Sequence, residues 1–284
     1  RRARGFDIIH CHLDWIHIPL LRRVGTPFVT TLHGRLDLPH MHSFAASFAD
    51  APFVSISNNQ RAPLRELNFV DTIYHGIPEQ LLRPNLQPAG YLAFLGRFTH
   101  EKGPHIAIRL ARQTHLPLRI AAKIPRMETQ YFKEQIEPLL DGHQVEFVGE
   151  VNDGQKQDFL GNAMAVLFPI DWPEPFGLVM IEAMACGTPV IAWRRGSVPE
   201  IIEHGVSGFI VENEAEAIHA IERIPTLDRR QVRAAFEQRF TAQRMAESYR
   251  RCFARLMASG KGAATDRGSR PSYGRASELT VGQS

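Results

Sequence analysis

Short apolar runs alternate with stretches of helical length along nearly the whole chain. Runs at 6–10, 28–32, 53–57, 70–74, 91–95, 118–123, 145–149, 165–169, 189–193 and 208–211 read as strands. Many are continuous, not alternating, which is the pattern of strands buried on both faces in a parallel sheet covered by helices. Segments at about 13–23, 41–49, 58–67, 103–115, 127–140, 152–163, 177–187, 197–204 and 214–223 read as helices between them. Two more, about 228–239 and 242–258, close the pattern. Repeated βα units predict an α/β fold, and right-handed crossovers predict doubly wound sheets.

The stretch 77–90 is Pro-rich and lacks periodicity. It reads as a linker between a first domain at 1–76, with four strands, and a second at 91–240, with six. Residues 241–258 then form a closing helix and 259–284 a disordered tail rich in Gly, Ser, Ala and Arg. Ten strands are many for one open sheet, so two Rossmann-like sheets facing a cleft are expected. Ligands of such sheets sit beyond the C-terminal ends of the strands, so the residues just after each strand matter most.

Composition narrows the class. With 284 residues, 44% hydrophobic and 22% charged, the chain has the make-up of a globular protein of roughly two domains. No apolar run approaches the ~18–20 residues of a membrane span. A cytoplasmic protein is expected, because Cys11, Cys186 and Cys252 are odd in number, far apart and without a CxxC. The net charge of +3 sits at the ends: Arg1, Arg2 and Arg4 open the chain, and the tail carries Lys261, Arg267, Arg270 and Arg275. The body is slightly acidic, which argues against a nucleic-acid partner.

No GxGxxG or GxxxxGK[ST] follows a strand, which removes the dinucleotide and NTP cradles. Gly96 and Arg97 end a strand instead, and Lys102 stands where a helix opens, so two cations meet a helix N-terminus, as a bound anion would favour. A solvated turn with two surface cations is the plainer alternative. In Glu174-Pro-Phe-Gly-Leu-Val-Met-Ile-Glu182 a helix is expected to begin near Gly177, with the amides of 177–179 at its N-terminus. Spacing alone does not single this segment out, because Glu214 and Glu222 are also eight apart on a polar helix.

Three blocks taken together are specific: GRFTHEKG, then PIDWPEPFGLVMIEAMACGTPVIAWRRGSVPEII, then HGVSGFIVE. In this order they resemble the nucleotide-sugar domain of GT-B glycosyltransferases, and in particular family 4, the retaining group with an E-x7-E motif. The earlier FDIIHCHLDW, PFVTTLHG and YHGIP resemble the second half of the acceptor-side domain, so the resemblance spans nearly all of 5–258. It implies an N-terminally truncated chain whose first domain lacks its opening strands.

The resemblance implies a glycosyltransferase of hexosyltransferase type that takes a nucleoside diphosphate-sugar and keeps the anomeric configuration. Arg97 and Lys102 would meet the diphosphate and Glu182 the ribose. Glu174 would lie near the donor sugar's hydroxyls. Gly96, Phe176, Gly177 and Leu178 would contact the donor through the backbone, with Val151 near the base. His33, ending an apolar strand before Gly34, would face the donor sugar across the cleft; His75 reads as a turn residue. No DxD pair occurs, so no metal or other cofactor is expected. His10, Cys11, His12 and His17 are the densest ligand-type cluster, but no second pair completes a zinc site. Trp172 reads equally as a stacking platform and as packing. The acceptor, whether glycan, lipid or small molecule, stays open, as does peripheral membrane contact. Two rival readings remain, an inactive sugar-nucleotide-binding module and a GT-B sugar-nucleotide epimerase.

Overall fold

A computed structural model describes residues 5–264. Among these described residues ten strands form two sheets, and every pairing between the strands is parallel. The first sheet orders β1 (Ile9–Cys11), β2 (Phe28–Thr31), β3 (Phe53–Ser55) and β4 (Phe69–Thr72) in sequence. The second contains β5 (Tyr91–Arg97), β6 (Leu118–Lys123), β7 (Val145–Gly149), β8 (Ala163–Phe168), β9 (Val190–Trp193) and β10 (Gly208–Val211). Its order is β10-β9-β8-β5-β6-β7, which reverses direction between β5 and β8. Such a switch point opens a crevice at the C-terminal ends of the two central strands.

Both faces of the second sheet are covered, as its continuous apolar strands require. Ala93, Val166 and Ala192 pack into one buried cluster with Met180, Met184 and Phe236. Leu92, Phe94, Leu167 and Ile191 pack into the other with Ile108, Leu110 and Ile221. The first domain has smaller cores, one built on Trp15, Ile18, Phe53 and Leu64.

Two segments predicted as helices are irregular. Of 13–23 only Ile18–Leu21 is helical. The segment 127–140 is a succession of short turns with a π-helical turn at Phe132–Ile136 and a 3-10 turn at Glu137–Leu139. Pro138 has no N–H to offer a regular helix there.

Residues 77–90 run along the second domain. Leu82 is buried in its core. Arg233 donates to the carbonyls of Leu82 (2.8 Å) and Glu79 (2.9 Å), and Arg229 to that of Asn85 (2.5 Å). Burial pushes the Arg229 guanidinium down to about 10, and it donates to the carbonyls of Ala163 and Gly161 and to the Thr188 hydroxyl.

The final helix, Ala242–Ala264, returns to the first domain. Tyr249 hydrogen-bonds Thr31 (2.8 Å), and Cys252 packs with Val29, Val54 and Ile73. This helix takes in 259–264, which the tail expected at 259–284 was to include; the rest of that tail lies outside the described residues. Among the described residues no helix is long and apolar enough to cross a membrane.

Candidate functional site

The crevice is walled by the loops after β5 and β8. β5 ends at Arg97, and a 3-10 turn at His100–Lys102 leads into the helix Pro104–Thr114. The Asp171 amide donates to the Glu101 carbonyl (2.8 Å), which ties the two loops together. Between them Lys102 Nζ forms an ion pair with Glu174, the side chains only 14% and 11% exposed. The Trp172 ring lies 4.6 Å from the same Nζ, a cation–π distance. Trp172 therefore does pack, and it packs on a charged group of the site. Arg97 does not join this pair. It stands on the rim, 3.8 Å from Glu101, and lines a cavity of about 500 Å³ with Thr99, His100, Arg126 and Asp171.

The Glu174 loop is held by the Arg-Arg-Gly-Ser turn after β9. Ser197 donates its amide to the Glu174 carbonyl (3.0 Å) and its hydroxyl to the Phe176 carbonyl (2.8 Å). Gly196 has φ +53°, and a Cβ there would lie 2.3 Å from the Glu174 carbonyl oxygen. Gly177 has φ +81° and stands at the N-cap of the helix Leu178–Ala185, where a Cβ would meet Met180 Cε at 2.7 Å. Both positions require glycine, for the left-handed backbone and for the space. The Met180 amide already donates to the Gly177 carbonyl (3.0 Å), but the amides of Leu178 and Val179 ahead of it have no i−4 carbonyl within the helix, which makes its N-terminus attractive to an anion.

Glu182 projects from the same helix, and the Lys156 ammonium lies 2.8 Å from it. Lys156 comes from the helix Asp153–Gly161, whose N-terminus is set by a capping box between Asn152 and Gln155. Burial pulls the ammonium down, but Glu182 and Asp153 outweigh it and hold it above the ordinary lysine value. The sequence reading missed Lys156. Only its position in the first turn of a capped helix after β7 could have signalled it. Val151, just before that cap, is half-buried against the core. Gly96 lies in β5, paired with Ala122 of β6.

The first domain contributes imidazoles. His33 follows β2, and its Nε2 lies 2.8 Å from Nδ1 of His12 beyond β1. The His33 ring stacks on His75 at 5.3 Å, and His75 meets Phe176 edge-on at 4.9 Å. His75 is thus the bridge from His33 to the second domain's Glu174 loop, more than the turn residue expected from sequence. Burial, and then the His12 and Asp14 charges acting in opposite directions, leave His33 below the ordinary histidine value. Burial and the neighbouring histidines push His75 down to about 4, and His10 likewise. These rings are neutral near pH 7. Arg35, two residues after His33, places its guanidinium 5.5 Å from the Trp172 ring, a second contact between domains.

The cluster near Cys11 is not arranged as a metal site. His10 bonds Thr31 (2.8 Å) and His17 bonds Thr30 (2.7 Å). Among the described residues no three His, Cys, Asp or Glu side chains could hold a metal ion. The second glutamate pair is an outer helix face: Glu214 pairs with Arg109, and Glu222 lies 3.4 Å from His219.

Residues 84–239, more than half of the chain, match the family model for glycosyl transferases group 1. The chain belongs to that family. Among curated proteins, this group 1 glycosyl transferase is 27% identical over 246 residues to the uncharacterized glycosyltransferase MJ1607 of Methanocaldococcus jannaschii, covering 72% of this chain and 62% of the relative. It is 32% identical over 174 residues to D-inositol 3-phosphate glycosyltransferase 1 of Catenulispora acidiphila, covering 53% and 41%. The chain spans less than two thirds of the length of these relatives. Among solved structures it resembles AviGT4, a glycosyltransferase involved in avilamycin A biosynthesis, with a TM-score of 0.71 and 24% identity over 91% of this chain and 77% of that one. It resembles Anabaena HepE, crystallised with UDP and glucose, with a TM-score of 0.70 and 21% identity over 93% and 79%. The fold is that of the GT-B glycosyltransferases, with two Rossmann-like parallel sheets.

Proposed function

We propose that this group 1 glycosyl transferase moves a hexose from a nucleoside diphosphate-sugar to an acceptor hydroxyl, keeping the anomeric configuration. One observation carries the reading most. The Lys102–Glu174 ion pair sits between a strand end and a glycine-started helix N-terminus, and the imidazoles of the first domain stand against the same loop. A sugar-nucleotide binder without transfer chemistry has no evident use for that second wall. The resemblance to HepE, a protein seen with UDP and glucose, supports a nucleotide-sugar donor.

The roles follow from charge. As the bond from the anomeric carbon to the diphosphate breaks, negative charge grows on the leaving oxygen. Lys102, Arg97 and the leading amides of the Leu178–Ala185 helix meet that charge, with no resident metal or cofactor in the scheme. Glu182 accepts hydrogen bonds from the ribose, with Lys156 holding its carboxylate in place. Gly96, Val151, Phe176, Gly177 and Leu178 shape the donor's bed. Glu174 and His33 approach the sugar hydroxyls from opposite walls. No carboxylate is committed as a nucleophile. The acceptor oxygen therefore bonds the anomeric carbon on the face the diphosphate leaves, and its proton passes to the departing phosphate oxygen. A cytoplasmic setting, where nucleotide sugars are plentiful, suits the three unpaired cysteines.

The test is calorimetry of the 284-residue chain with UDP, GDP, ADP and their sugars, alongside donor turnover with and without EDTA. Binding of one nucleoside diphosphate, with turnover insensitive to EDTA, is expected. Absence of binding across the panel refutes the donor site, and a strict divalent-metal requirement refutes the scheme for the leaving group.

A further inference from the structure

Both oxygens of the Glu200 carboxylate leave the second domain to bond the first. Oε1 accepts from the Asn59 amide at 2.7 Å. Oε2 accepts from the Asn58 amide at 2.7 Å, from Asn58 Nδ2 at 3.1 Å and from the Tyr74 hydroxyl at 3.0 Å. Asn58 and Asn59 open the short helix Asn58–Arg61, and its next amide, that of Gln60, is taken by Ser57 Oγ at 3.0 Å. The start of this first-domain helix is therefore satisfied largely by a carboxylate from the other domain.

What this helix carries gives the contact a consequence. The Gln60 side chain is buried and saturated. Its Oε1 accepts from the Ile56 amide at 2.9 Å. Its two Nε2 protons go to the carbonyls of Leu32 at 3.0 Å and Gly34 at 2.9 Å. Those carbonyls belong to the residues on either side of His33. At its other end, Glu200 follows the turn whose Ser197 clamps Glu174 and Phe176. Arg239 fixes Glu200 from behind through its carbonyl.

We infer that Glu200 and Gln60 are positioning residues: they form a hydrogen-bonded relay that sets His33, in the first domain, in register with the Glu174 loop of the second. The relay runs from Glu174 through Ser197, Glu200, the Asn58–Arg61 helix and Gln60 to the backbone around His33. It acts on geometry and touches neither donor nor acceptor. It rests on the proposed roles of His33 and the Glu174 loop, and it adds the device that aligns them. A hydrogen-bonded link is stiff where an apolar contact can slide, and misplacing a reacting group by about 1 Å can cost about 100-fold in rate.

The test uses the full chain with Glu200→Ala, Glu200→Gln, Gln60→Ala and Tyr74→Phe, and Glu214→Ala as a control away from the relay. Ring signals of His33 are read by NMR of histidine-labelled protein, assigned by their loss in His33→Asn. Glu200→Ala and Gln60→Ala are expected to shift the His33 signals, Glu200→Gln to shift them less, and Glu214→Ala to leave them. Nucleoside diphosphate affinity is expected to stay within about twofold while donor turnover falls about tenfold or more, with Glu200→Gln recovering part of it. Unmoved His33 signals in folded Glu200→Ala and Gln60→Ala overturn the relay. A fall in nucleotide affinity as large as the fall in turnover also overturns it, since Glu200 would then merely support the Glu174 loop. If Glu200→Ala or Gln60→Ala does not fold, Glu200→Gln and Tyr74→Phe decide by the same signals. If the unmodified chain binds no nucleoside diphosphate, the donor reading fails, and the ring signals still decide whether Glu200 sets His33.

Discussion

Lys156 Nζ lies 2.8 Å from Glu182 Oε1, across 26 residues of sequence, and covers a side chain that is 12% exposed. The pair joins the helices that follow β7 and β8 and sets an ammonium against the Glu182 side chain inside the fold. A buried carboxylate that loses its partner retains its desolvation cost, about 1–3 kcal/mol or more for a charged group. Lys156→Ala is therefore expected to lower the unfolding free energy by about that amount in urea melts. Glu222→Ala, on the outer helix, should be silent. Equal midpoints for Lys156→Ala and the unmodified chain would show that solvent already serves Glu182.

The Lys102–Glu174 pair predicts a split between binding and turnover. Lys102→Ala removes a charge-assisted contact and should weaken nucleoside diphosphate binding by about 1.5–3 kcal/mol. Glu174→Gln keeps the loop's shape and removes a negative charge beside the diphosphate. It should leave that affinity equal or tighter while turnover drops on the order of 100-fold. Calorimetry and donor turnover on the same preparations measure both. A parallel loss of affinity in Glu174→Gln would mean that Glu174 only anchors Lys102.

Gly196→Ala tests the clamp on the Glu174 loop. The new Cβ would lie 2.3 Å from the Glu174 carbonyl oxygen, against backbone that has no soft way to yield. Strain at the left-handed position adds on the order of 1–3 kcal/mol. A melting temperature lowered by several degrees is expected, together with lost donor turnover. An Ala variant as stable and active as the unmodified chain would mean the loop has slack.

The half-buried imidazoles make stability pH-dependent, and the direction is set. His10, His75 and His105 are lowered from 6.5 to about 4, chiefly by burial. Between those values the unfolded chain takes up protons that the folded chain refuses. The contribution of these rings to stability therefore falls as pH drops from about 6.5 towards 4 and is level above that window. Urea midpoints should be lower at about pH 5 than at about pH 7, and His105→Gln should reduce the difference. A midpoint unchanged between the two would show the rings accept protons in place.

Much of this protein was legible locally. Continuous apolar runs of strand length determine buried parallel strands, because only a sheet covered on both faces spares such residues from water, and all ten emerged near their expected places. The Gly-Arg and E-x7-E blocks were legible because strand end, glycine and helix start are adjacent in sequence. Helix regularity was less so: apolar spacing over 127–140 did not register that Pro138 breaks the backbone ladder.

Tertiary structure alone decided the second wall of the site and the partners of its charges. Lys156 finds Glu182, His75 carries His33 to Phe176, and Glu200 meets Asn58 across 142 residues. No periodicity encodes such pairs, since a side chain's partner in another element depends on strand order and crossover, not on spacing. The reversal between β5 and β8 and the return of the last helix to the first sheet bring these residues within hydrogen-bond reach. Packing then gives ordinary lysine and glutamate side chains committed partners, and burial shifts the protonation of the histidines. That outcome depends on which atoms exclude water around them, and the chain settles it only once both sheets are packed.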